Sequence, residues 1–174
     1  MHGLFMVLVL AATDPATCSM HAQHMAEAKQ HDAAAHHHYD VDARGDAVMG
    51  FSHEKTKHSF RLLDDGGAIE VRANEADDTE DITAIRTHLQ QVAKDFATGL
   101  YAQPEAIHGR LPDGAATMKS LGSAVTFRYE ELERGGRVRI STISAEGIQA
   151  IHDFMKFQID EHRTGDPVDH AHAH

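Results

Sequence analysis

Histidine is the metal-ligating residue that this sequence uses most conspicuously, with 16 among its 174 residues. Neutral imidazole is a common ligand for zinc and copper ions, and flexible chain can wrap clustered histidines around one ion. Two tracts cluster histidines in this way: His36, His37 and His38 near one end, and His170, His172 and His174 at the other. These tracts predict capture of a transition metal, copper or zinc, with weak binding at each site.

Further histidines lie in the body of the chain, where the apolar pattern predicts packed structure; they are His58, His88, His108, His152 and His162. Because a helix turns about 100° per residue, His152 and His162 fall near the apolar face of one predicted helix. We expect three or four of these imidazoles to converge at one border of the core. Such a site would suit catalysis or redox chemistry if it kept an open position, and a structural role if closed. His53 is predicted to be a surface residue.

Each body histidine also has an ordinary interpretation, as a hydrogen-bonded residue at the edge of the core. The acidic stretches Asp64–Gly67 and Asn74–Asp81 lack the spacing of a calcium-binding loop, and they predict a hairpin turn and a helix N-terminus instead. The sequence has no P-loop, GxSxG, CxxC, CxxCH or HExxH motif, which favours a non-enzymatic role. A small enzyme, or a domain that binds haem or another small ligand in the same pocket, stays open as the alternative.

The charge of the chain limits the partners that it suits. It has 27 acidic and 16 basic residues, a formal net charge of -11. Binding to nucleic acid needs a concentrated basic surface, so we expect no nucleic-acid partner, and docking on anionic lipid is disfavoured for the same reason. Metal ions are the partners that an acidic, histidine-rich chain suits best.

The first residues resemble an export signal. Leu4 to Ala12 is an apolar run of nine residues, which fits the core of a signal peptide and is shorter than the roughly 20 residues that span a bilayer. Cleavage after Ala22 would leave a periplasmic or secreted protein. Cys18 is the only cysteine, so an internal disulfide is excluded, and a lipoprotein anchored at this residue is a weaker alternative.

A ββα pattern occurs twice in the body. Each copy has two short alternating strands joined at a Gly-Gly turn, at Gly66–Gly67 and Gly135–Gly136, followed by a helix that ends in Thr-Gly. Glycine supplies the positive φ that tight turns and left-handed helix ends use. Neither unit buries its apolar face alone, so we predict an α+β fold with a four-stranded antiparallel sheet and two main helices on one face.

Several motifs also resemble a family of small exported bacterial proteins over Val48 to Asp166. They are VMGF, TKHSF, GGAIEV, IRTHL, IHG and AIHDFMKFQIDEHRTGD. Some members bear the label aspartate carbamoyltransferase, but this chain has no Ser-Thr-Arg-Thr loop of the kind that such enzymes use for carbamoyl phosphate. The resemblance therefore implies export and carries over no activity. Ser59 stands where the family often has histidine.

Together these observations predict four parts: a signal peptide over 1–22, a flexible segment over 23–47, an α+β domain over 48–165 and a histidine-rich tail over 166–174. The predicted function is metal binding, for copper or zinc handling, by the tracts and by a site at the edge of the core. A third alternative is an assembly module in which the exposed sheet face pairs with a second copy, giving a homo-oligomer.

Overall fold

The computed structural model describes Lys29 and residues 41–169. The predicted signal peptide, Cys18 and both histidine tracts lie outside the described residues. The chain divides into two units, residues 1–37 and residues 38–174, and in the first only Lys29 is described, as an exposed helical residue. None of the helices among the described residues has the length and apolar character needed to cross a membrane.

The described part of the second unit is built from five helices and four strands. A helix over residues 41–49 (α1) comes first. The remaining elements are β1 (Thr56–Leu63), β2 (Gly66–Ala73), α2 (Thr79–Ala97), α3 (Ala102–His108), α4 (Ala115–Leu121), β3 (Thr126–Leu132), β4 (Gly135–Ser141) and α5 (Ala145–Glu161). The order β1-β2-α2 and then β3-β4-α5 confirms the tandem ββα arrangement.

The four strands form one antiparallel sheet in the order β1-β2-β4-β3. The two hairpins meet through their second strands, since β2 pairs with β4 in the register Ile69 opposite Val138. Gly66 and Gly135 occupy equivalent places at the start of these strands. A Cβ on Gly66 would lie 2.3 Å from the carbonyl oxygen of Ile140, and one on Gly135 would lie 2.1 Å from that of Val71. The absence of a side chain at Gly66 and Gly135 therefore allows the central strands β2 and β4 to pair closely.

Helices α2 and α5 pack on one face of the sheet and enclose the core. Helix α2 lies mainly over β3 and β4, and α5 lies over β1 and β2. The apolar positions predicted to face inward along α2 are all buried: Ile82, Ile85, Leu89, Val92 and Phe96. Along α5, Ile151, Met155 and Ile159 are buried as predicted, whereas Ile148, which the same pattern predicted to be buried, is only half-buried. Alternating side chains of the strands, such as Phe60 and Val138, complete the core.

The packed domain begins earlier than predicted. Residues 41–49, which were expected to be flexible up to residue 47, are helical, and Val41 and Met49 are buried in the core cluster. The sequence pattern did not predict this helix, because the segment is mostly polar and only a few positions on one side of it are apolar.

The end of α5 also differs from the prediction. Gly165 has the predicted left-handed φ, 70°, but it lies beyond the helix end, because α5 stops at Glu161 and Arg163 takes a positive φ of 49° two residues before the glycine. Beyond it, Asp166 accepts hydrogen bonds from the Ser59 hydroxyl at 3.0 Å and from the Phe60 backbone N–H at 2.8 Å. This contact fixes the chain after α5 against the edge strand β1.

Candidate functional site

Four of the predicted histidines line one cavity in the core. His58, His88, His108 and His162 share its wall with apolar side chains that include Met49, Phe60 and Leu89. The cavity measures about 60 Å³. That volume suits an ion or a few small molecules such as water, whereas pockets for drug-sized ligands measure roughly 300–1,000 Å³. A haem would therefore require the surrounding elements to move.

Each histidine reaches the cavity from a different element. His58 lies on β1 two residues before Phe60, so both side chains point to the helix-covered face of the sheet. His108 is the last residue of α3, which is followed by the left-handed Gly109. His162 caps α5 just before the turn at Arg163. The contacts of Asp166 with β1 bring this turn, and with it His162, beside His58.

The rings of His58, His162 and His108 are in contact. His58 and His162 stack with centroids 5.2 Å apart and planes 9° from parallel. His162 meets His108 edge-on, with centroids 5.0 Å apart and an 87° angle between planes. His162 is therefore the central ring of this histidine cluster, the name used below for His58, His108 and His162. His88 lies apart from it and contacts Phe51, with centroids 5.7 Å apart.

Burial keeps these imidazoles neutral at physiological pH. It is the main cause that lowers the pKa of His58 from 6.5 to about 4, with smaller effects of the His88 and His53 rings. Burial lowers the pKa of His88 to about 4 as well. The pKa of His162 is lowered by burial and then by the neighbouring His58 and His108. Neutral imidazole is the form that binds a metal.

His108 has a carboxylate on one side of its ring and an amide on the other. Its Nδ1 lies 3.6 Å from Glu161 Oε2, too far for a hydrogen bond, and its Nε2 lies 3.2 Å from Gln158 Oε1. Burial lowers the pKa of His108, and Glu161 opposes that shift. Among the described residues, His108 Nδ1 and Gln103 Oε1 are buried atoms without a hydrogen-bond partner, and both residues line the cavity.

Unpartnered buried polar atoms are uncommon in folded proteins and point to a missing water or ion. His58, His88 and His162 are half-buried, and their rings make no hydrogen bond to another described residue. The cavity thus brings together several imidazole nitrogens that no other described residue binds.

His152 does not join the cluster, which corrects the prediction that it would converge with His88. Its Nε2 lies 3.0 Å from both the Leu63 and the Gly66 carbonyl oxygens, where the ring N–H can donate to the β1–β2 turn. His152 is 4% exposed. It therefore has the ordinary role of a hydrogen-bonded core residue. Its hydrogen bonds connect α5 to the hairpin of β1 and β2.

His53 lies on the surface, as predicted. Its Nδ1 is 3.0 Å from Asp46 Oδ1, and its exposed side chain borders a surface groove. His58 and His162 line this groove as well as the inner cavity. The stacked pair consequently separates the cavity from the surface.

No group of three His, Cys, Asp or Glu side chains between residues 41 and 169 is arranged to hold a metal ion as the structure stands. The ring planes explain why. An imidazole binds a metal in the plane of its ring, along the nitrogen lone pair, and the nearly parallel planes of His58 and His162 do not point to a common position. Rotation of one ring about its χ2 bond, a torsion with broad preferences, would be needed.

The buried imidazoles make the stability of the domain dependent on pH. A folded-state pKa near 4 against 6.5 in the unfolded chain means that the unfolded chain binds more protons below pH 6.5. With respect to these histidines, the free energy of unfolding is expected to be highest above pH 6.5 and to decrease as the pH falls from 6.5 to 4. Each such histidine contributes a slope of up to about 1.4 kcal/mol per pH unit. Urea unfolding at pH 7.5, 6.0 and 5.0 measures this.

The matched control for this pH dependence is His88→Phe, which removes one titrating ring beside Phe51. We expect its unfolding free energy to vary less between pH 7.5 and 5.0 than that of the unchanged chain. Equal pH dependence in the two proteins would show that His88 is not a buried neutral imidazole.

Sequence reasoning missed three side chains around the cluster. Met49 is 8% exposed and lines the cavity, Gln158 is 5% exposed, and Glu161 is 9% exposed. The spacing of Gln158, Glu161 and His162 along one helix turn was a usable signal, because residues three and four apart share a helix face. Met49 gave no such signal, since α1 was not predicted.

No family model, no curated protein and no solved structure matches this chain.

Proposed function

We propose that this chain is an exported metal-binding protein that holds one zinc or copper ion between His58, His108 and His162. The observation that carries the proposal is the contact of these three rings inside one core cavity, with centroids 5.0 and 5.2 Å apart. Zn–N bonds of about 2.0–2.1 Å at tetrahedral angles place two ligating rings with centroids about 5 Å apart. The spacing of the rings already suits such a site.

The orientation of the three rings determines which side chains must move when a metal ion binds. His108 and His162 are nearly perpendicular, so the lone pairs of two such rings can meet at one point. His58 must turn out of its stack on His162, a movement that breaks a ring contact but no hydrogen bond to a described residue. Binding therefore requires two side chains to move: His58 turns, and the Gln158 amide leaves Nε2 of His108.

The surroundings of the cluster favour an ion over a neutral ligand. Metal-ligating histidines commonly place a carboxylate at their other ring nitrogen, which orients the ring and raises its basicity. In this arrangement the ion takes Nε2 of His108 in place of Gln158 Oε1, and the unpartnered Nδ1 donates to Glu161 Oε2 once the present separation of 3.6 Å shortens. Met49 offers a thioether within the same cavity, a soft ligand that would favour Cu⁺ over Zn²⁺.

The tracts have a supporting role in this proposal. His36, His37, His38, His170, His172 and His174 would collect ions weakly, and the cluster would hold one ion more tightly. The groove and the cavity meet at the stacked pair His58 and His162, so an ion would enter from the groove when His58 turns. The overall charge of -11 attracts cations to the chain.

The test separates the cluster from the tracts. In a tract-free variant, the nine histidines in residues 21–38 and 170–174 are replaced by alanine: His21, His24, His31, His36, His37, His38, His170, His172 and His174. We expect this variant to bind one equivalent of Zn²⁺ or copper in competition with a chromophoric chelator, and to carry that metal after purification without a nickel column. Elemental analysis gives the second readout. Loss of all tight binding in the tract-free variant would assign metal binding to the tracts alone.

A further inference from the structure

The face of the sheet opposite the helices carries a concentrated positive charge. Its side chains are those that alternate with the core positions of each strand. The charged ones are Lys57, Arg61, Arg72, Arg128, Arg137 and Arg139, with the carboxylates Glu70 and Glu130. Six cations against two anions leave a charge of +4 on this face, in a chain whose net charge is -11.

Strand register places three of these arginines in one row across the sheet. Arg61 lies opposite Ala68, Ala68 opposite Arg139, and Arg139 opposite Arg128. With strands about 4.8 Å apart, the row spans about 14 Å. Like charges directly opposite each other on neighbouring strands are destabilising, and here Asp65 beside Arg139 and Glu130 beside Arg128 offset the repulsion in part. We call these three residues the arginine row.

The members of the arginine row differ in how they are held. Arg139 is 19% exposed, pairs with Asp65 in the β1–β2 turn and donates to the Gly67 carbonyl oxygen at 2.9 Å. Arg61 and Arg128 are 58% and 72% exposed at the two ends. The outer guanidinium groups are thus presented to solvent on either side of a fixed central one.

The next row of the sheet shows what these arginines pair with. Glu70 lies opposite Arg137, and Arg137 opposite Glu130. Arg137 Nε donates to Glu70 at 2.7 Å, and Arg137 also donates to Glu130 at 3.3 Å. Arg128 donates to Glu130 at 2.7 Å. Carboxylates therefore already lie between arginines on this face, held by charge-assisted hydrogen bonds.

We propose that the arginine row is a docking surface for an acidic peptide segment of a partner protein, whose carboxylates lie across the sheet. This inference is independent of the metal proposal. A short acidic segment of a few carboxylates matches a row about 14 Å long, on a face where six cations outnumber the two carboxylates Glu70 and Glu130.

Other occupants fit the face less well. Proteins that bind single-stranded nucleic acid on a sheet stack bases on exposed aromatic rings, and the described aromatic residues of the strands, Phe60, Phe127 and Tyr129, lie on the helix side. A duplex would extend past the row onto the acidic remainder of the surface. Face-to-face pairing with a second copy would oppose two surfaces of like charge, which disfavours the sheet-pairing homo-oligomer.

The test measures binding of a fluorescein-labelled hexaglutamate peptide to the full chain by fluorescence anisotropy. We expect binding at 50 mM salt that weakens several-fold at 200 mM, as for exposed charge pairs. The double variant Arg61→Gln, Arg128→Gln should bind about tenfold more weakly, since each exposed pair contributes a factor of roughly two to five. The matched control is Lys94→Gln, Lys119→Gln, which removes the same charge from α2 and α4.

Each outcome decides the proposal. Weaker binding in the arginine variant, with the lysine control unchanged, supports it. An equal loss in both variants would assign binding to net charge, and no peptide binding at 50 mM salt would remove the docking surface. Tighter binding to a twelve-residue oligothymidylate, or to vesicles containing phosphatidylserine, would replace the peptide by those partners and overturn the assignment.

Discussion

His162→Phe is expected to lower the zinc affinity of the tract-free chain at least about 100-fold, because it removes one of three nitrogen ligands. The phenyl ring can keep the stacking on His58 and on Phe60, whose ring centroid lies 5.5 Å away. The substitution thus removes the nitrogens while it retains a ring of similar shape. His162 is the informative position because it alone contacts both other members of the histidine cluster.

The measurement is a competition titration with a chelator of known affinity, on the tract-free protein with and without His162→Phe. Circular dichroism and urea unfolding of both proteins show whether the fold is retained. His152→Phe is the matched control: it changes a buried histidine of the same helix that bonds the Leu63 and Gly66 carbonyls. We expect the control to lose stability and to keep its metal affinity. Unchanged affinity in His162→Phe would refute the proposed ligand set.

Gly66→Ala is expected to lower the free energy of unfolding by about 3 kcal/mol or more. The residue has a φ of 144°, and a Cβ there would lie 2.3 Å from the carbonyl oxygen of Ile140 on the neighbouring strand. Backbone atoms of a central strand cannot move aside at small cost, so the β2–β4 pairing would open. Because β2 and β4 join the two ββα units, both halves of the core would be affected.

Two further alanine variants separate the causes of this loss. Gly135→Ala should behave like Gly66→Ala, since its Cβ would meet the Val71 carbonyl at 2.1 Å in the second unit. Gly109→Ala tests positive φ alone, because Gly109 has a φ of 72° and no atom within 4 Å of its Cβ position. It should cost about 1 kcal/mol. Urea unfolding measures the free energy of unfolding of all three variants. An equal decrease in all three would mean that the close approach of β2 and β4 does not add to the cost of the substitution.

The fold was predictable because its signals are local. The alternation in GGAIEV and GGRVRIS, the paired glycines and the 3.6-residue period of α2 each depend on neighbours in sequence. Two copies of the same pattern then leave few ways to bury both apolar faces. Helix α1 escaped prediction because its buried residues, Val41 and Met49, are held by the core more than by their own sequence.

The site was predictable only in part, for a geometric reason. Sequence alone determined that the chain is rich in imidazoles, that several lie near apolar faces, and that two ββα units bring those faces together. It did not determine which rings meet. His152 and His162 share a helix, yet one faces the β1–β2 turn while the other follows the helix end.

Tertiary structure decided this difference. The left-handed turn at Arg163 and the bonds of Asp166 to the edge of β1 carry His162 onto His58, and α3 brings His108 against His162. Such contacts join residues more than 50 positions apart, so no local period encodes them. Burial within that assembly, which no residue has by itself, also sets the protonation of the three rings.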